Sequence, residues 1–169
     1  IIGMSAIGIS MGLALKKAAF TNTKIIGAST NRLVLSHANE VNAFDKIGID
    51  IRHAVTEARM VIIDSTPTET TKLLKTIGPV IKSDCTVTET CILKNKVTEF
   101  ANNNLENSSN FVSGRPLIKT HLTEIRQANP NLFKNTNYCL TPSPETNPES
   151  IKLVVGLVET LGAKPFFIS

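Results

Sequence analysis

Tryptophan is absent from the 169 residues, tyrosine occurs once, and aromatic residues make up 5% of the chain. The few aromatics do not interleave with basic residues, which excludes a base-stacking platform for nucleic acid. Charge of one sign is nowhere concentrated. Lys16, Lys17, Lys24, Lys46, Lys72, Lys75 and Lys82 are scattered, and the net charge is only +4. That pattern describes solvated helix faces and favours at most an anionic small ligand. No apolar run reaches the ~20 residues that a membrane span needs. The three cysteines, Cys85, Cys91 and Cys139, have no C-x-x-C spacing. Their odd number and wide spacing argue against a disulfide framework and point to a reducing cytoplasm. The three histidines, His37, His53 and His121, stand far apart and match no metal motif. The chain starts directly on Ile1-Ile2 without a signal peptide, and trimming or processing at the front is expected. What remains is a chain with 41% hydrophobic residues, enough to bury the core of a single domain.

The richest stretch is Ile1-Ile2-Gly3-Met4-Ser5-Ala6-Ile7-Gly8-Ile9-Ser10-Met11-Gly12. An apolar strand end turns at Gly3 and enters an amphipathic helix carrying Leu13, Leu15, Ala18 and Phe20. Strand, glycine turn and helix in that order form the phosphate-binding corner of a dinucleotide fold, where helix N-terminal amides and the dipole hold a pyrophosphate. Gly3, Ser5, Ala6, Ile7 and Gly8 are therefore candidate cofactor contacts. The usual pattern is G-x-G-x-x-G, and Ser5 replaces its middle glycine. Its hydroxymethyl group is expected to hinder close approach of the cofactor. The alternative use of the motif is a tight turn that needs glycine only for its backbone geometry.

Downstream, apolar strands alternate with amphipathic helices. Strands are expected at 24–28, 60–64, 85–88, 111–114, 138–140 and 163–168. Helices are expected at 33–43, 51–59, 68–77, 94–103 and from Pro148 to Leu161. The run 47–50 reads as a turn. Residues 115–135 form a long irregular connection with a helical turn near 122–128, and the asparagine-rich run 102–110 reads as a surface loop. Met60-Val61-Ile62-Ile63 is apolar throughout, as strands covered on both faces are. This alternation predicts an α/β protein with a Rossmann-type, doubly wound, mostly parallel sheet and helices on both faces. Ligands of such folds sit at the carboxyl ends of the strands. The segments to inspect are therefore Gly3–Gly8, Ser29–Arg32, Ser65–Pro67, Glu89–Lys94 and Ser113–Arg115.

The end of the second strand, about twenty residues past the glycine motif, distinguishes the two nicotinamide dinucleotides. An acidic residue there binds the ribose 2′-hydroxyl of NAD. Here the positions are Ser29, Thr30, Asn31 and Arg32. Two hydroxyls, an amide and a guanidinium suit a 2′-phosphate, so NADP is preferred over NAD. Asn31 also fits as the cap of the following helix.

A resemblance now becomes visible. Ile2 through Lys16, Ile25-Ile26-Gly27, Ser65-Thr66-Pro67, Thr86 to Lys94, Phe111 to Pro116, Asn131-Leu132-Phe133-Lys134-Asn135 through Tyr138-Cys139-Leu140-Thr141-Pro142, and 144–164 resemble the prephenate and arogenate dehydrogenases of tyrosine biosynthesis. The likeness covers nearly the whole chain but only the family's cofactor domain. The family continues into an all-helical domain that dimerises and completes the substrate pocket, and nothing in these residues corresponds to it. A homodimer, or a missing second domain packing on Pro165-Phe166-Phe167-Ile168, is accordingly expected. The resemblance implies an oxidative decarboxylation. Hydride passes from the substrate's ring alcohol to the nicotinamide, and carbon dioxide leaves as the ring becomes aromatic. Ser65, Thr66, Pro67 and Lys94 follow as candidate cofactor or substrate contacts.

The chain departs from the family at the reactive positions. Where the family has Asp-Val-Gly-Ser-Val-Lys, with its serine in the active site, this chain has Glu89-Thr90-Cys91-Ile92-Leu93-Lys94, and Ile92 has no hydroxyl. Where the family's Gly-Gly-His-Pro supplies the catalytic histidine, this chain has Ser113-Gly114-Arg115-Pro116. A guanidinium does not give up its proton in a protein and is a poor base, though it can bind a carboxylate. His121 is the candidate substitute base, and Cys91 is either a nucleophile or a packing residue. His37 and His53 are expected on helix surfaces. Three functions follow: a dehydrogenase cofactor domain, a non-catalytic dinucleotide-binding or ligand-sensing module, and a reductase whose Arg115 grips a small anionic carboxylate substrate.

Overall fold

The computed structural model describes residues 1–92, 94–120 and 122–168. One buried residue joins its sheet into a whole. Ile2 bridges Ala28 on one side and Ile63 on the other, both in the parallel sense. On the Ala28 side lie β1 (Ile26–Ala28) and β2 (Lys46–Gly48). On the Ile63 side follow β3 (Met60–Ile63), β4 (Thr86–Glu89), β5 (Phe111–Pro116), β6 (Asn137–Thr141) and β7 (Lys164–Phe167), in that order. Every strand pairing is parallel except β5 with β6. The doubly wound, mostly parallel sheet expected from the alternation is therefore the observed architecture.

Helices cover both faces, and the side chains show why. Along β3, Val61 and Ile63 point to one side and Ile62 to the other, the period of two that any strand imposes. Val61 and Ile63, with Val87 and Phe111, pack against Val55 of α3 (Ile51–Val55), Leu74 and Ile77 of α4 (Pro67–Ile77), and Val97 and Ala101 of α5 (Lys94–Asn104). Ile62, Val112 and Leu140 pack against Met11 and Leu15 of α1 (Ala6–Lys17) and Val154 and Val158 of α6 (Pro148–Thr160). A third cluster joins Met4 and Ile9 to Phe44 and to Val34 and Ala38 of α2 (Arg32–Glu40). Each such valine, leucine, isoleucine, methionine or phenylalanine contributes about 1.5–3 kcal/mol by leaving water.

Several boundaries differ from the sequence reading. The run expected as a turn at 47–50 contains strand β2, too short for any alternation to show. The first helix ends at Lys17, and Ala19 has a positive φ of 52°. Ala18 is therefore a C-cap, and Phe20 lies outside the helix, half exposed. In the long connection the ordered turn is Ile125–Gln127. Strand β7 is an edge strand, and its Phe166 and Phe167 and the following Ile168 are about half exposed. The closing helix begins on the expected pair, with Asn147 accepting from Glu149 N and Pro148 in the first turn. No helix among the described residues is long and apolar enough to cross a membrane.

Candidate functional site

The carboxyl ends of the central strands lie in step, because consecutive backbone bonds lock them. Gly3 N donates to Ala28 O, Asp64 N to Ile2 O, and Thr90 N to Ile63 O. Strand β4 continues the row to β5 through Thr88 opposite Val112 and Glu89 opposite Ser113. The segments Gly3–Gly8, Ser29–Arg32, Ser65–Pro67, Glu89–Ile92 and Ser113–Arg115 therefore share one edge of the sheet, as their sequence positions implied.

Gly3 makes the turn possible. Its φ is +87°, and a Cβ there would stand 2.6 Å from Asp64 O. Ser5 is then the N-cap of α1, its Oγ accepting from Ile7 N at 3.1 Å. The same hydroxyl donates to Asp64 Oδ2 at 2.8 Å. Ser5 N and Gly8 N also donate to Asp64 Oδ2, at 2.6 and 2.7 Å. Oδ1 accepts from Thr90 Oγ1 at 2.8 Å. The Asp64 carboxylate is 4% exposed, so a buried anion from the end of β3 occupies the positive end of the α1 dipole. The Ser5 hydroxyl is thus engaged with Asp64 and Ile7 N, a structural role beside the hindrance expected of it. Across Ser5 to Gly8, only the Ala6 amide has no acceptor among the described residues. Gly8 is needed for contact as well, since a Cβ there would lie 2.7 Å from Asp64 Oδ2.

The loop after β1 is open to solvent. Ser29 is buried and its Oγ accepts from Asn31 N at 3.2 Å. Thr30, Asn31 and Arg32 are exposed. Asn31 caps α2 through Leu33 N and Val34 N, leaving the Arg32 guanidinium in the first turn without an ion pair among the described residues. The loop after β3 is equally regular. Thr66 caps α4 through Glu69 N, Pro67 fills the first turn, and Ser65 O accepts from Cys91 Sγ at 3.3 Å. Ser65 and Pro67 are half-buried and Thr66 is exposed.

At the end of β4 the chain buries a second acid. Glu89 is 0% exposed, with Oε1 accepting from Ser113 Oγ at 2.6 Å and Oε2 from Cys91 N. Cys91 is buried, with Sγ 3.0 Å from Thr70 Oγ1, so its packing role is the one the structure supports. Ile92, next in the chain, is 65% exposed. It presents an apolar surface where the resemblance places a hydroxyl. Arg115 is half-buried on β5, opposite Cys139 on β6. Lys94 opens α5, but its side chain and His121 lie outside the described residues, as do Leu93 and Ser169. His53 is exposed on α3, while His37 on α2 is half-buried with Nδ1 3.4 Å from Glu40 Oε2.

The roles of four groups escaped sequence reasoning. Asp64 reads as the polar end of an apolar strand, and Glu89 as one residue of a loop. Nothing local shows that each collects donors from elements far away in sequence. Tyr138, buried on β6, has no partner for its hydroxyl among the described residues, and neither does Thr88 Oγ1 beside it at Gly114. Burial, reinforced by Glu89 and Asp64, pushes the Tyr138 phenol well above its ordinary range, so it remains a neutral wall of the site. No cluster of three or more metal-binding side chains occurs among the described residues.

The residues fit a dinucleotide unevenly. The turn geometry, the Ala6 amide and the open Ser29–Arg32 loop suit one, whereas the carboxylate at the α1 N-terminus opposes its pyrophosphate. Comparison with known proteins agrees on the fold. Prephenate dehydrogenase of Bacillus subtilis (strain 168) is 27% identical over 162 residues, 95% of this chain and 43% of that protein. Prephenate dehydrogenase from Aquifex aeolicus superposes with a TM-score of 0.91 at 25% identity, over 100% of this chain and 60% of that one. The A. aeolicus enzyme in complex with hydroxyphenyl propionate and NAD+ gives 0.90 at 24% identity, over 99% of this chain and 58% of that one. The chain thus spans less than half the length of its Bacillus relative. Residues 11–166 match the family described as prephenate dehydrogenase, nucleotide-binding domain, and the chain belongs to that family.

Proposed function

We propose that this chain is the dinucleotide-binding domain of a prephenate or arogenate dehydrogenase-type protein, one that binds cofactor but has lost or changed the dehydrogenase chemistry. One observation carries the reading. The glycine turn, the ribose loop and the ends of β4 and β5 meet on one sheet edge, with Arg115 and Ile92 where the resemblance puts base and hydroxyl. A bound nicotinamide dinucleotide would supply a hydride acceptor at that edge. The Ala6 amide would face its pyrophosphate, and Ser29, Thr30, Asn31 and Arg32 its adenosine ribose. The Arg32 guanidinium supports NADP over NAD. Arg115 would hold an anionic carboxylate, in prephenate, arogenate or another acid, without taking a proton from it.

The absence of a neutral base at Arg115 favours the second reading, a ligand-sensing module that retains the fold. The helical second domain of the family, and any homodimer it forms, would lie outside these 169 residues and pack on the exposed Phe166-Phe167-Ile168 edge. The cytoplasm is the proposed compartment, supported by three buried cysteines that no disulfide joins.

Nicotinamide reduction, followed by absorbance with prephenate and with arogenate, tests the reading. The expected result is no turnover at a normal enzymatic rate, because acid–base groups contribute a factor of about 10² to 10⁴ each. Arg115→His with Ile92→Ser is expected to give at most a partial gain. Robust turnover by the unmodified chain would overturn the reading and direct attention to His121.

A further inference from the structure

The Asp64 carboxylate stands where a dinucleotide fold presents its positive helix terminus to a pyrophosphate. We propose that Asp64 sets the affinity of this domain for dinucleotides, acting as a resident anion that holds the α1 N-terminus and weakens pyrophosphate binding. The inference rests on the dinucleotide reading above and deepens it.

The donors decide the matter. Oδ2 collects Ser5 N, Ser5 Oγ and Gly8 N, all within 2.8 Å, and Oδ1 collects Thr90 Oγ1. Four donors around one 96%-buried group is a solvation shell built by the protein for a carboxylate, which takes hydrogen bonds only as an acceptor. The helix dipole contributes about half a positive charge at this end, so one bound carboxylate more than neutralises it. An incoming pyrophosphate meets a turn whose dipole is already satisfied, with the Ala6 amide as the one donor from Ser5 to Gly8 that has no acceptor among the described residues. It also approaches a like charge, the Asp64 carboxylate, which is itself buried. Ser5 belongs to the same device. A glycine at that position could neither donate a hydroxyl to Asp64 nor cap Ile7 N.

The test is calorimetric titration of the unmodified chain, Asp64→Asn and Asp64→Ser with NADP+, ADP-ribose and adenosine. ADP-ribose carries the pyrophosphate and adenosine does not. Neutralising Asp64 is expected to tighten NADP+ and ADP-ribose at least tenfold and to change adenosine less than twofold. The unmodified chain alone is expected to hold ADP-ribose no more tightly than adenosine, so a variant that fails to fold does not remove the test. Unchanged or weaker ADP-ribose binding in the folded variants overturns the proposal, as does an equal gain for adenosine. So does a marked preference of the unmodified chain for ADP-ribose over adenosine. If none of the proteins binds any of the three ligands, the dinucleotide reading itself fails.

Discussion

Replacing Ser5 by alanine separates two accounts of this residue. If the side chain only obstructed a ligand, its removal would leave stability untouched. The structure gives it two bonds, accepting from Ile7 N at 3.1 Å and donating to Asp64 Oδ2 at 2.8 Å. Loss of an N-cap costs about 0.5–2 kcal/mol. A hydrogen bond to a charged group contributes about 1.5–3 kcal/mol when well shielded. Ser5 is exposed, so water replaces part of both, and Asp64 keeps Ser5 N, Gly8 N and Thr90 Oγ1. The low ends of both ranges add to a loss of about 2 kcal/mol. In a domain of this size that lowers Tm by about 4–8 °C. Urea unfolding and a calorimetric melt of Ser5→Ala beside Ser5→Thr measure it. Threonine keeps the hydroxyl and should recover most of the loss. A Ser5→Ala protein within about 0.5 kcal/mol of the parent, or a threonine variant as unstable as the alanine one, would refute the two-bond account.

Two further expectations rest on other parts of the fold. Arg32→Ala should remove most of any preference for NADP over NAD, since the exposed guanidinium is the cation of the ribose loop; parallel calorimetric titrations check it, and an unchanged ratio counts against the NADP assignment. Burial and the neighbouring Asp84 push the Cys85 thiol up to about 11 from 9.0. The unfolded chain therefore loses this proton first, and Cys85 makes folding stability fall as pH rises from about 9 to 11, with no contribution below. Urea midpoints across that range should flatten in Cys85→Ala.

The fold was legible because its signals are local. Gly3 turning an apolar strand into a helix, the all-apolar Met60–Ile63, and the Asn147-Pro148 start each specify their own neighbourhood. Strand β2 was not legible, because Lys46–Gly48 offers three residues and no alternation. The end of α1 was not legible either, because Ala18 and Ala19 are good helix formers, and only the backbone shows Ala19 with positive φ. The antiparallel course of β6 depends on how 117–136 loops back, which no periodicity records. At the candidate site, sequence position brought the inspected segments to one edge of the sheet. It did not reveal that Asp64 would answer Ser5 across 59 residues, because a carboxylate at a strand end reads alike whether it faces water or a ring of donors.

The single-residue seam at Ile2 has a mechanical meaning. Among the described residues, continuity between the β1–β2 flank and the rest of the sheet passes through five main-chain bonds: Ile1 N to Ile26 O, Ala28 N to Ile1 O, Gly3 N to Ala28 O, Ile2 N to Ile62 O, and Asp64 N to Ile2 O. Beyond these, the flank is held by Phe44, Val34 and Ala38 against Met4 and Ile9. A unit with so narrow a main-chain join is expected to open at a lower free energy than the five-stranded body, its amides exchanging with solvent first in a hydrogen-exchange measurement. The Ser29–Arg32 loop, proposed to meet the adenosine ribose, rides on that unit. A ligand reaching from the glycine turn to Arg32 would therefore act as a rivet across the seam, coupling the fluctuations of the two parts of the sheet.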